Sequence, residues 1–291
     1  MTMKKLTSTT TTLWDNKLFI NNLKNFMQTN TESNNNKTTA QEWKSFILVV
    51  VIALMIRILI IESFVVPTGS MKATILENDR IFGTKYSYGY SNYSLSFFDF
   101  IHLFKGRIFA RTPERGDIII FRPPHEMNTR YIKRLIGLPG DKVQLIDDVI
   151  YINDEKIERV ESGIYVSEEG RKYLKFKETL PNGKTYFSYK LAPVLGIMFN
   201  DKYGNTDAFY VPEGEYFFLG DNRDQSNDSR IDLGFVPFEN FIAKAQFIWF
   251  STKITWWDSD IGVINLILKL KPWAESIRFN RIFRNLYSIE D

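Results

Sequence analysis

Tyr131-Ile132-Lys133-Arg134-Leu135-Ile136-Gly137-Leu138-Pro139-Gly140-Asp141-Lys142-Val143 is the stretch whose reading decides the fold. Its first half is β-branched and aromatic, Pro139-Gly140 is a turn signal, and a second run from Lys142 to Ile146 follows at once. That is the pattern of two short strands joined by a tight turn. Strand alternation puts Tyr131, Lys133 and Leu135 on one face and Arg134 on the other. Asp117–Phe121, Val149–Ile152 and Glu215–Leu219 repeat the chemistry, and Asn182-Gly183 is a further turn signal. No internal repeat and no long amphipathic helix interrupts residues 80–250. The fold class expected is mainly β: a body of antiparallel β-sheet, barrel-like, with residues 153–210 as a more irregular, polar, smaller inserted β subdomain.

Upstream, the run FILVVVIALMIRILIIESFVV from Phe46 to Val66 carries only Arg57 and Glu62 as charges. At about 1.5 Å per residue such a run can cross a hydrocarbon core of roughly 30 Å. Residues 45–66 are therefore expected as one N-terminal transmembrane helix, with Trp43 and Lys44 as an interfacial anchor and Arg57 snorkelling to the far side. A cleaved signal peptide fits less well, because the leader is long and polar and no small-x-small pattern follows the run. Residues 1–44 hold Thr and Asn runs, no Arg and no Gly, and read as a cytoplasmic, largely disordered tail. Within it Lys17–Met27 has helical spacing, and Met27 offers a downstream start. Lysines outnumber acids in this tail, so the positive-inside rule puts the N-terminus in the cytoplasm and residues 67–291 across the membrane. The expected address is the inner (plasma) membrane, single-pass.

The chain has 291 residues, with 37 Lys plus Arg against 34 Asp plus Glu, a formal net charge of +3. That balance gives no basic field of the kind nucleic acid needs. There is no cysteine, which excludes disulfides, thiolate metal sites and thiol nucleophiles. Only two histidines are present, His102 and His125, and neither has a matched carboxylate motif.

Either histidine could still serve a serine nucleophile as its base; a lysine whose charge burial suppresses is the alternative. In Pro67-Thr68-Gly69-Ser70-Met71, proline fixes the exit from the apolar run and glycine frees the backbone before Ser70. Ser70 could present its hydroxyl, with its own N–H and the Thr68 hydroxyl facing a developing oxyanion. Lys133, between apolar neighbours on its strand face, would be desolvated toward a neutral amine able to take the Ser70 proton. Taken alone, a Gly-Ser turn or an edge-strand lysine in water would account for either residue. Gly220-Asp221-Asn222-Arg223-Asp224-Gln225-Ser226-Asn227-Asp228-Ser229-Arg230 is dense in short polar groups. Asp221, Asp224 and Asp228 could ligate calcium, yet the spacing and terminal Glu of a helix-loop-helix calcium site are missing.

PTGSM after an apolar run, RGDIIIF at Arg115–Phe121, YIKRLIGLPGDKV at Tyr131–Val143 and GDNRDQSNDSR at Gly220–Arg230 occur in this order. Together they resemble the boxes of the type I signal peptidases, bacterial membrane-bound Ser/Lys endopeptidases of the leader peptidase family, over roughly residues 45–250. The resemblance implies that Ser70 is the nucleophile, Lys133 the general base, Thr68 the side-chain oxyanion donor and Ser226 the hydroxyl that orients the lysine. It implies that Arg134, Asp228 and Arg230 brace the site, and that Phe64, Val66, Met71, Ile75, Tyr131 and Ile132 form shallow pockets for small side chains. The partners it implies are signal peptides of exported preproteins and membrane lipid, with no cofactor, no metal and no nucleic acid. Ala73 departs from the family, which commonly has proline there, so a looser turn is expected. Asp232-Leu233 makes the stretch before Gly234 one residue longer than in some members, and Ala243-Lys244-Ala245 stands where Gly-Lys-Ala is common. The alternatives are a self-cleaving Ser/Lys protease and an inactive membrane-anchored β-rich adaptor.

Ser70 lies nine residues past Ile61, hence at most about 30 Å from the end of the apolar run. Leu95–Ile101, Phe104–Phe109 and Trp256-Trp257 are expected to dip into lipid, and Lys269, Lys271, Arg278, Arg281 and Arg284 of the tail to touch anionic headgroups.

Overall fold

The apolar run divides at Ile60. The computed structural model describes residues 39–95, 105–193, 203–254 and 271–288, and in it helix α1 (Thr39–Leu59) is followed by strand β1 (Ile61–Val65). The single helix expected over 45–66 is thus corrected at both ends: it begins at Thr39, inside the tail expected to be disordered, and stops at Leu59. Glu62, Phe64 and Val66 are buried while Ser63 and Val65 are exposed, a period of two that a strand satisfies and a helix does not. Glu62 also finds cations there: Lys85 Nζ at 2.6 Å and Arg130 Nη1 at 3.0 Å. Among the described residues no helix is long and apolar enough to cross a membrane. Glu42, Lys44 and Arg57 bound the uncharged stretch Ser45–Ile56, which rises about 18 Å. The large apolar side chains of that stretch are exposed.

The strands that follow are β2 (Arg80–Thr84), β3 (Ile118–Phe121), β4 (Tyr131–Gly137), β5 (Lys142–Ile146), β6 (Val149–Ile152), β7 (Glu155–Lys156) and β8 (Glu158–Val166). Then come β9 (Lys172–Thr179), β10 (Thr185–Leu191), β11 (Phe209–Tyr210), β12 (Glu215–Leu219), β13 (Val236–Pro237), β14 (Phe241–Phe250) and β15 (Arg284–Asn285). The main sheet has the order β1-β2-β14-β3-β4-β12-β13, with β15 beside β14. Every pairing in it is antiparallel. Three strands separate β1 from β4 in that order. Even so, Arg130 bonds Glu62 and Phe64 shares a core cluster with Ile132, so the sheet curls back on itself.

β5 and β6 form a second sheet with β7 and β11, and β8, β9 and β10 form a third. The inserted region is therefore more regular than its sequence suggests, and its separate sheet begins at Glu158. β8 is largely exposed along its whole length, so it shows no alternation for a sequence reading to find. Asn182-Gly183 does make the predicted turn between β9 and β10, with Gly183 at φ +79°. The helix expected at Lys17–Met27, His102, most of Leu95–Phe104, Trp256-Trp257 and Lys269 lie outside the described residues.

β4 is buried from Ile132 to Gly137 because both of its faces are covered. Gly137 is required by close approach, since a Cβ there would meet Phe217 Cβ and Val143 Cγ2, both at 2.8 Å. Gly137→Ala is expected to destabilise the fold by about 1–3 kcal/mol through overpacking. Urea denaturation measures it, and an unchanged midpoint would contradict the packing described.

Candidate active site

Ser70 stands in a loop closed at its base by backbone bonds. Val66 N–H donates to the Asp79 carbonyl (3.0 Å) and Asn78 N–H to the Val66 carbonyl (2.8 Å). Within the loop Gly69–Met71 make a single 3₁₀ turn, and Ser70 and Met71 are buried. Ala73 lies at φ +60°, in the left-handed region. Proline holds φ near −65°, so the residue common in the family could not adopt this turn. The departure produces a different turn, held in a strained conformation, and not merely a looser one.

Lys133 comes from β4 and is 4% exposed. Its Nζ lies 2.7 Å from Ser70 Oγ, donates to the Ile132 carbonyl at 3.3 Å, and sits 5.1 Å from the centroid of the Tyr131 ring. Burial pushes the amine down from 10.5 to about 8, against the opposing pull of Asp228 and Asp221. Among the described residues no carboxylate bonds it, because both nearby acids are held by arginines. Arg134 meets Asp221 with two bonds, Nε to Oδ1 at 2.8 Å and Nη2 to Oδ2 at 2.7 Å, and donates to the Gly116 carbonyl at 2.9 Å. Arg230 meets Asp228 in the same way, with two side-chain bonds of 2.9 Å, and the backbone N–H groups of Gly220 (3.0 Å) and Arg230 (3.2 Å) donate to it too. Burial alone would raise the Asp228 carboxyl; the Arg230 guanidinium outweighs it and holds the group below the ordinary carboxylate value.

Three residues at the site carried no catalytic or bracing role in the sequence reading, where Asp221 entered only as a candidate calcium ligand. Asn222 donates its Nδ2–H to the Gly69 carbonyl (3.0 Å) and its backbone N–H to the Ser70 carbonyl (3.1 Å), fixing the turn that presents the hydroxyl. Asp221 is the partner of Arg134. Thr74 Oγ1 donates to Asp221 Oδ2 at 2.7 Å and so ties the nucleophile's loop to the same carboxylate. The density of short polar groups in 220–230 marked the first two as a bonded loop; nothing local marked Thr74. In that loop Asp221 and Asp228 take arginines, and Asp224 accepts the Leu191 N–H at 2.7 Å. Among the described residues no acidic or histidine cluster could hold a metal.

Other expected members are near but not joined. Ser226 is 3% exposed, and its hydroxyl makes no bond of good geometry among the described residues, to Lys133 or otherwise, though it lies close enough to Asp228 to help keep it ionised. Thr68 is exposed and its side chain makes no capping bond. The Ser70 N–H meets no acceptor among the described residues. Phe64, Val66, Met71, Ile75 and Ile132 are brought together in one buried cluster, while Tyr131 packs with the neighbouring one. His125 is exposed and contacts the Asp232 carbonyl, far in chemistry from a base beside Ser70. The arrangement can move one proton between a hydroxyl and an amine, next to an unused backbone donor.

The family model for signal peptidase, peptidase S26, matches residues 39–250. The chain is 82% identical to the signal peptidase I of Rickettsia massiliae over 265 residues, covering 91% of this chain and 100% of that protein. It is 81% identical to that of Rickettsia canadensis over the same shares. A crystal structure of a signal peptidase I from Enterococcus faecalis V583 is 32% identical, covering 46% of this chain and 97% of its own, with a TM-score of 0.28.

Gly220 is wedged between the two serines: a Cβ there would meet Ser226 Oγ at 2.2 Å, Ser226 Cβ at 2.5 Å and the Ser70 carbonyl at 2.6 Å. Gly220→Ala must displace one wall of the site, and peptide-cleaving activity is expected to fall on the order of 10²-fold, as misplacement of reacting groups by about 1 Å does. Wild-type turnover by the folded variant would contradict the geometry.

Proposed function

The chain belongs to the signal peptidase family, peptidase S26, and from that premise we propose that Ser70 and Lys133 are the dyad with which this serine endopeptidase removes N-terminal signal peptides from exported preproteins. The observation that carries the reading is the 2.7 Å separation of a buried amine from a buried hydroxyl. The neutral Lys133 amine takes the proton as Ser70 Oγ adds to the scissile carbonyl carbon. The Ser70 N–H and the Thr68 hydroxyl, after rotation, receive the oxyanion. The ammonium returns its proton to the leaving nitrogen as the C–N bond breaks, and water then hydrolyses the ester by the same route in reverse. Ser226 is buried with a hydroxyl that makes no bond of good geometry among the described residues, and it orients the amine once that hydroxyl turns toward it.

The substrate lies extended against backbone edges that are still unpaired. Among the described residues β12 pairs with β4 only from Arg134 onward, so one edge of Tyr131–Lys133 meets no strand, and β1 pairs only with β2. A peptide strand added there would pass in front of Ser70. Phe64, Val66, Met71, Ile75 and Ile132 are already packed against one another, so the space they leave admits only small side chains beside the cut. Arg134, Asp228 and Arg230 brace this arrangement and touch no substrate.

The protein works at the inner membrane, with its N-terminus in the cytoplasm and residues from 67 onward on the far side. The exposed apolar side chains of α1 support this association, with Trp43 and Lys44 as one anchor and Arg57 snorkelling from the other end.

Ser70→Ala and Lys133→Ala are each expected to abolish cleavage of a signal-peptide-bearing preprotein. Lys133→Arg should do so too, since a guanidinium keeps its proton. The active form is the neutral amine. Activity should therefore climb about tenfold per pH unit below the Lys133 value of about 8 and level off above it. A gel-based cleavage assay across pH checks both; a Lys133→Ala enzyme that still cleaves, or a flat profile from pH 5 upward, would overturn the dyad.

A further inference from the structure

Residues 271–288 form a strap laid along β14, beyond the 39–250 stretch that the family model matches. Backbone bonds hold it there: Phe283 N–H to the Ile248 carbonyl (2.6 Å), Leu286 N–H to Gln246 (3.0 Å) and Arg278 N–H to Ser251 (3.0 Å). The sequence suggested that Arg278 and Arg281 would touch lipid, and the structure corrects this. Arg278 pairs with Glu168 at 2.6 Å, and Arg281 is buried and points into the loop that carries Ser70.

From these contacts we infer that Arg281 is a positioning residue for the nucleophile, acting through the Thr74 carbonyl and the Asp79 carboxylate. Its Nη2 donates to the Thr74 carbonyl at 3.0 Å and to Asp79 Oδ2 at 2.6 Å. Asp79 has further donors, the Leu76 N–H at 2.8 Å and Ser251 Oγ at 2.5 Å. The Thr74 carbonyl has only Arg281 among the described residues. Thr74 follows Ala73, whose left-handed conformation persists only where its surroundings over-determine it. The same Thr74 bonds Asp221, which grips Arg134, the neighbour of Lys133 on β4. Arg281 therefore locks the midpoint of a loop whose ends are already pinned, and aligns hydroxyl and amine through Thr74 and Asp221.

The inference rests on Ser70 as the nucleophile, and the experiment keeps the two apart. Full-length Arg281→Gln, Arg281→Lys, Ser251→Ala and Ser70→Ala are compared for cleavage of a signal-peptide-bearing preprotein, with thermal unfolding in parallel. Arg281→Gln should lose about tenfold or more in kcat with KM within about twofold, as a misaligned dyad would, and keep the wild-type pH midpoint. Arg281→Lys should recover part of that loss, because one ammonium can still reach the Thr74 carbonyl. Ser251→Ala removes a different Asp79 partner and should keep wild-type kcat. Wild-type kcat in folded Arg281→Gln, or an equal loss in Ser251→Ala, would overturn the positioning role. If Arg281→Gln does not fold, Arg281→Lys against Ser251→Ala decides on the same terms. A Ser70→Ala enzyme that cleaves would instead remove the dyad, whatever Arg281 does.

Discussion

A lysine amine buried against a serine hydroxyl, with no carboxylate bonded to it, is the constraint on which this structure turns. Burial disfavours the ammonium, yet a carboxylate within reach would restore it. Two acids, Asp221 and Asp228, lie close enough to pull the Lys133 value upward. Each is instead engaged by two bonds from its own arginine, Arg134 or Arg230. The charges near the dyad are thus neutralised in pairs, and the amine is left with a hydroxyl and a carbonyl. Breaking either pair would free a buried carboxylate beside Lys133, at a cost in stability as well as in the amine's protonation.

The surrounding fold serves that isolation. β4 carries Lys133 on one face and Arg134 on the other, and both side chains stay out of water because the sheet curls and an inserted sheet covers the second face. Arg134 stacks on Tyr186 of β10 (4.3 Å to the ring centroid), so the insertion contributes directly to bracing the site. Asn222 then fixes the serine from the opposite loop.

Much of this was legible in the residues. Lys142–Ile146, Val149–Ile152 and Glu215–Leu219 are strands at the limits read from β-branched runs, and Asp117–Phe121 loses only its first residue. Ser70 and Lys133, 63 positions apart, could be paired because the motifs around them are distinctive. What escaped has physical causes. The far end of the apolar run is a strand, since Glu62 and Phe64 find partners across the sheet that hydrophobicity alone does not reveal. β8 is exposed along its length, which erases its alternation. Arg281 acts through the Thr74 backbone carbonyl, and Thr74 through a hydroxyl bonded to Asp221, 147 positions away; neither contact leaves a pattern in the local sequence. Arg281 looked like a lipid-facing cation because long-range ion pairs, here with Asp79, cannot be read from a basic tail.

The most direct test is the titration of the Lys133 amine itself, followed by NMR on protein labelled at the lysine side chains, with Lys133→Arg to assign the signal. An amine losing its proton near pH 8, well below its exposed neighbours, is the result this account predicts. A Lys133 signal that stays protonated until about 10.4, the value of a lysine in water, would contradict it.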